Sequence, residues 1–189
     1  MLSMKLKRIG IKKMTFKHFI QNIIDFINTI SEWTGRIIAW LILLMVLIIV
    51  YQAGMVALFS IGSVGLQELQ WHLFALIFLL GAAYTLKHDD HVRVDIVYQS
   101  RWMNEQRRAW LNLLGGLLFL IPFCLLVIIT SWPFLYQAFL YGEGSPDPGG
   151  LPYRFLLKSA IPIGFILLML QGIANSLTSL LFLYESSKG

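Results

Sequence analysis

The chain has 189 residues, 57% hydrophobic and 13% charged, with fifteen Lys and Arg against ten Asp and Glu; an ordinary soluble domain carries about 25% charged residues. So few charges cannot cover a water-facing surface, and the apolar residues fall in long unbroken runs. A soluble domain, a disordered chain and an outer-membrane barrel are therefore excluded, and a helical membrane protein is expected.

The first fifteen residues form a basic arm containing Lys5, Lys7, Arg8, Lys12 and Lys13 without an acidic residue. Over residues 16–33, Phe16, Phe19, Ile20, Ile23, Ile24, Ile27, Ile30 and Trp33 recur at steps of three and four, and polar residues fill the gaps. That spacing predicts an amphipathic helix with one apolar stripe. With the basic arm ahead of it, the helix is expected in the headgroup layer. Lys12 and Lys13 would lie near phospholipid phosphates, and Phe16, Phe19, Ile23 and Ile27 would sink into lipid. The competing arrangement packs the stripe on a partner protein or on the ends of the chain's own helices.

Four charge-free windows follow, at 37–67, 69–86, 109–142 and 159–184. A helix needs roughly 20 residues to cross a hydrocarbon core of about 30 Å, so each window spans once and none twice. The expected spans are about 35–60, 67–86, 109–133 and 158–184, within a transmembrane domain of 34–185. The second borrows a turn that includes Glu68. Trp132-Pro133 is expected to mark where the third leaves the membrane or kinks, unless the helix simply continues past it. The first window starts too far from the N-terminus, and runs too long, for a cleaved signal peptide.

Thirteen of the fifteen Lys and Arg lie in the N-terminal segment, in the loop between spans two and three, or at the C-terminal tail. Only Arg154 and Lys158 fall on the other side. The bias predicts both termini in the cytoplasm, with short loops near 61–68 and 142–158 facing outward. The expected fold is thus an all-α membrane protein, four transmembrane helices preceded by an interfacial helix.

The single cysteine, Cys124, sits in an apolar run, which leaves no intrachain disulfide and no multi-cysteine metal site. The windows hold no charged residue, and intramembrane charge is the usual mark of a transport or redox pathway. His18, His88 and His91 lie outside the spans, and His72 has no intramembrane histidine to face, so paired haem ligation is disfavoured. His88-Asp89-Asp90-His91 has metal-like spacing but reads better as a solvated loop. Glu68, Trp71 and His72 form an i, i+3, i+4 set that serves either as an interfacial anchor or as a partner contact. In the loop between spans two and three, Val92, Val94 and Ile96 alternate with Arg93 and Asp95, which suggests an extended piece with one polar side. The later outer loop, Gly142-Glu143-Gly144-Ser145-Pro146-Asp147-Pro148-Gly149-Gly150-Leu151-Pro152, is rich in turn formers and predicts a rigid connection.

Several of these stretches resemble a known family. Gln67-Glu68-Leu69-Gln70-Trp71-His72, then Asp90-His91-Val92-Arg93-Val94-Asp95, Asp147-Pro148-Gly149-Gly150-Leu151-Pro152, Ile161-Pro162-Ile163-Gly164-Phe165 and Leu170-Gln171-Gly172 are similar to the small, DctQ-like membrane subunit of tripartite ATP-independent periplasmic (TRAP) transporters. Phe155 stands where that pattern has Trp. The resemblance implies a bacterial inner-membrane complex and a non-enzymatic subunit without a cofactor of its own. A large many-span subunit would carry the substrate and sodium sites, and a periplasmic binding protein would deliver an organic acid or related solute. The small subunit would act as a stator. Candidate partner-interface residues are then Glu68, Trp71, His72, Arg93, Asp95, Asp147, Gly149, Gly150, Leu151 and Pro152. Phospholipids are expected partners and nucleic acid is not. Two other readings stay open, a haem- or quinone-binding redox subunit and an autonomous oligomeric transporter or channel.

Overall fold

The computed structural model describes residues 2–88 and 103–187, with side chains from Lys17 onward. Among the described residues there are helices and loops and no strands. Four helices are long and apolar enough to cross a membrane. α1 is Leu2–Phe59 and α2 is Val64–Lys87. α3 is Glu105–Leu140 and α4 is Arg154–Ser186.

The predicted interfacial helix and the first span form one unbroken helix, α1. No glycine-proline punctuation or cap separates them, so nothing stops helix propagation near Trp33. Residues 17–59 alone would reach about 64 Å at 1.5 Å per residue, twice the hydrocarbon thickness. The lower turns of α1 must therefore lie beyond the hydrocarbon. α1 ends at Ser60, which adopts a left-handed conformation with φ 56°. Ser63 then caps α2 by accepting the Leu66 N–H at 3.4 Å.

α4 is the hub, because α1, α2 and α3 all pack on it while α2 and α3 do not pack on each other. Antiparallel pairing of α1 with α4 is fixed by Lys17 to Glu185 at one end and Ser31 to Gln171 fourteen residues along. α2 runs parallel to α4, with Glu68 near Arg154 and Asn175 reaching the Leu86 carbonyl. At the crossing of α2 and α4, Gly164 lies so close to Leu79 that an added Cβ would meet the Leu79 carbonyl oxygen at 2.6 Å. In hydrocarbon, where helices gain little from excluding water, such close backbone approach is a principal source of packing energy.

α3 departs from the expected span in two ways. Residues Gly116–Leu120 form a wider π-helical turn just before Pro122. Proline lacks an N–H and its ring crowds the carbonyl four residues back, and the extra residue in the turn gives that carbonyl room. At Pro133 the helix neither stops nor leaves, and it continues to Leu140. The Ser131 hydroxyl donates to the Ile128 carbonyl at 3.1 Å and the Thr130 hydroxyl to the Leu126 carbonyl at 2.9 Å. Side-chain hydroxyls of this kind supply backbone carbonyls around an intrahelical proline.

Candidate partner-facing site

The end of the bundle opposite the described termini is organised around Glu68. One turn into α2, its side chain is 4% exposed. One carboxylate oxygen accepts the Ser145 hydroxyl and the other accepts the Leu151 N–H at 2.6 Å. Arg154 Nη2 stands 3.4 Å from the first oxygen. A charge so placed near hydrocarbon is tolerable only when hydrogen-bonded and paired, and here both conditions hold. The loop between α3 and α4 is therefore hung on α2 through one side chain.

The loop's own sequence makes that attachment possible. The Ser145 N–H donates to the Leu151 carbonyl at 3.0 Å, and the Arg154 N–H to the Glu143 carbonyl at 2.8 Å, so the two limbs of the loop are tied together. Gly149 turns with φ 82° and donates nothing to the clamp itself. At Gly150 a Cβ would stand 2.3 Å from the Ser145 hydroxyl and 2.8 Å from Glu68, so only glycine lets the strand approach the carboxylate. Tyr153, left-handed with φ 62°, turns the chain into α4. Asp147, Gly149 and Pro152 lie on the exposed side of this loop, while Gly150 and Leu151 are half-buried against α2.

The three predicted neighbours of α2 separate by role. Glu68 points into the clamp, and Trp71 is exposed. The His72 Nδ1–H donates to the Glu68 backbone carbonyl at 2.7 Å, a bond within the helix. Beside the clamp, Lys158 Nζ lies 2.5 Å from Glu143 and 3.7 Å above the centre of the Phe134 ring. Arg93 and Asp95, with the extended piece they were assigned to, lie outside the described residues, as does His91. His88 sits with its Nε2 3.3 Å from Glu32.

The lead-in stripe divides between two environments. Ile20, Ile24 and Ile27 are buried by the chain itself, Ile23 is half-buried, and Phe19, Phe26 and Trp33 are exposed. The side chains of Lys12, Lys13 and Phe16 lie outside the described ones. Next to this stripe is a polar cluster that sequence reasoning missed. Gln171 is fully buried. It accepts the Ser31 hydroxyl at 2.6 Å and donates to Asn28 and to Asn175, each at 3.0 Å, and Asn175 donates to the Leu86 carbonyl at 3.2 Å. One residue thus joins α1, α4 and, through Asn175, α2. The i, i+4 spacing of Gln171 and Asn175 in a charge-free window was the available signal. Below it, Lys87 and Glu32 close α2 onto α1 at 3.0 Å.

What remains uncovered is the span of α1. None of its most apolar stretch is buried by the chain, and Trp40, Leu47, Val50 and Leu58 are all exposed. No curated protein matches the chain. The DctQ family, described as the DctQ component of tripartite ATP-independent periplasmic transporters, matches residues 45–182. That match runs from the span of α1 through α2 and α3 nearly to the end of α4, so the chain belongs to the DctQ family, the small membrane component of these transporters, which is a transport family and not an enzyme family.

Proposed function

We propose that the chain is a non-catalytic scaffold, which braces a large many-span subunit during sodium-coupled uptake of an organic acid or related solute delivered by a periplasmic binding protein. The observation that carries this reading is the bare span of α1: an apolar helix presented with none of its core stretch covered by its own bundle. The interior polar groups support it. The buried amides and the buried carboxylate are committed to holding helices and loop in place, through Gln171 and Glu68. A subunit so arranged contributes rigid surface and no solute pathway, and sodium and substrate would be bound by the large subunit.

In this reading the chain sits in the bacterial inner membrane with both termini in the cytoplasm, as the distribution of Lys and Arg favours. The clamped loop then faces the periplasm, where its exposed Asp147, Gly149 and Pro152 are placed to receive the binding protein. Arg93 and Asp95 would fix the large subunit from the cytoplasmic side. Phe19 and the basic arm with Lys12 and Lys13 would lie against anionic phospholipid.

Two experiments test the proposal. Reconstituted alone into vesicles with an inward sodium gradient, the chain should take up no solute, and uptake without a larger subunit would refute the scaffold role. Purified in mild detergent from its native membrane, it should carry the large subunit with it, and its recovery alone would count against a stable brace. A visible spectrum with a Soret band would instead establish the redox reading.

A further inference from the structure

Because α2 and α3 pack on α4 but not on each other, one face of α4 forms the floor of a groove. At the clamp end the groove widens into a cleft of about 390 Å3, walled by Ala75 and Leu79 of α2, Phe134 of α3, and Leu157 and Ile161 of α4. The walls are apolar and the rim is charged. Leu157 and Ile161 follow Arg154 by three and seven residues, so the apolar wall descends about 10 Å from the guanidinium along one face of α4.

Four charges meet at the rim: Glu68, Glu143, Arg154 and Lys158. Lys158 is held by Glu143 at 2.5 Å and by the Phe134 ring. Arg154 is held loosely. Among the described residues its guanidinium has one side-chain partner, Glu68 at 3.4 Å, and it lines the cleft with one third of its side chain exposed. An arginine carries five N–H donors in a fork suited to phosphate, so most of this one's capacity is unspent. Arg154 and Lys158 are also the two cations that the sequence keeps away from the basic side, and both line this cleft.

We propose that the cleft holds one zwitterionic phospholipid from the adjacent leaflet, with its phosphate on Arg154 and an acyl chain along Ala75, Leu79, Leu157 and Ile161. The chemistry selects this occupant over others. A soluble anion would satisfy the guanidinium and leave the apolar walls bare, whereas an apolar helix would cover the walls and leave the guanidinium without an acceptor. The four rim charges sum to zero, so a headgroup whose own charges cancel adds no uncompensated charge at the edge of the low-dielectric region. The lipid seals the gap between α2 and α3 and stiffens a bundle that does not close on itself.

Native mass spectrometry of the full-length chain tests this, after delipidation in detergent and add-back of phosphatidylethanolamine. The wild type should retain one phospholipid per chain. Arg154→Gln, which removes a charged hydrogen bond, should lower occupancy about tenfold or more at the same lipid concentration. Ala75→Phe, which fills the cleft without touching the Glu68 clamp, should do the same, with size-exclusion and circular dichroism confirming that each variant is folded. Phosphatidylglycerol should bind several-fold more weakly, and the tail-less headgroup glycerophosphoethanolamine should not bind. The proposal is overturned by an empty wild-type chain after add-back, or by wild-type occupancy in either folded variant. It is equally overturned if phosphatidylglycerol or the tail-less headgroup matches phosphatidylethanolamine.

Discussion

Glu68→Ala removes the acceptor on which the outer loop hangs, and its consequence can be worked from the geometry. Three donors lose their partner: the Ser145 hydroxyl, the Leu151 N–H at 2.6 Å and Arg154 at 3.4 Å. A hydrogen bond to a charged group contributes about 1.5–3 kcal/mol, whereas a long pair to a partly exposed arginine contributes under about 1 kcal/mol. The Ser145 hydroxyl can turn toward water, but the Leu151 N–H is half-buried and tied into the loop. The free energy that keeps the loop closed should therefore fall by about 3 kcal/mol, which corresponds to roughly 100-fold faster local opening. Hydrogen–deuterium exchange by mass spectrometry in detergent reads this directly. The protected amides of Ser145, Gly150, Leu151 and Arg154 fall in one peptide window, while the lower half of α4 serves as an internal reference. Glu68→Gln keeps one acceptor and should accelerate exchange by about tenfold only. If the loop amides of Glu68→Ala exchange within about twofold of wild type, the clamp is not what holds the loop.

The glycines offer a sharper contrast within one chain. Gly164→Ala drives a Cβ against the Leu79 carbonyl and should cost about 1–3 kcal/mol in thermal unfolding, while Gly115→Ala, with open space around it, should be neutral or stabilising by up to about 1 kcal/mol. Ser31→Ala and Gln171→Leu, taken singly and together, should show a coupling energy of about 1 kcal/mol in detergent unfolding, and additivity would mean that the Ser31 bond adds nothing. On the lead-in, Ile27→Asn should destabilise the bundle by at least about 2 kcal/mol, because the side chain is buried by the chain itself. Phe19→Ser should leave unfolding unchanged and weaken binding to anionic vesicles. The reverse pattern would assign the stripe to the wrong neighbours.

The class of the protein was legible in its composition and in four charge-free windows, because backbone crossing hydrocarbon must satisfy its own hydrogen bonds and a helix does so within one segment. The turn-rich outer loop was equally plain, since its prolines and glycines restrict or permit the backbone locally. Which face of each helix turns inward was not. In lipid both faces of a span are apolar, so periodicity loses the contrast that marks a buried side in water. Sequence spacing put Glu68, Trp71 and His72 together, yet only the packing of α2 on α4 turned Glu68 inward and left Trp71 exposed. Gln171 and Asn175 were visible as a polar pair, but their partners Asn28 and Ser31 lie about 140 residues earlier, on a segment that the same sequence could equally have laid on the membrane. That segment's place was decided by the unbroken continuation of α1 and by the polar groups of α4 that meet it, contacts that exist only once the chain has folded back on itself.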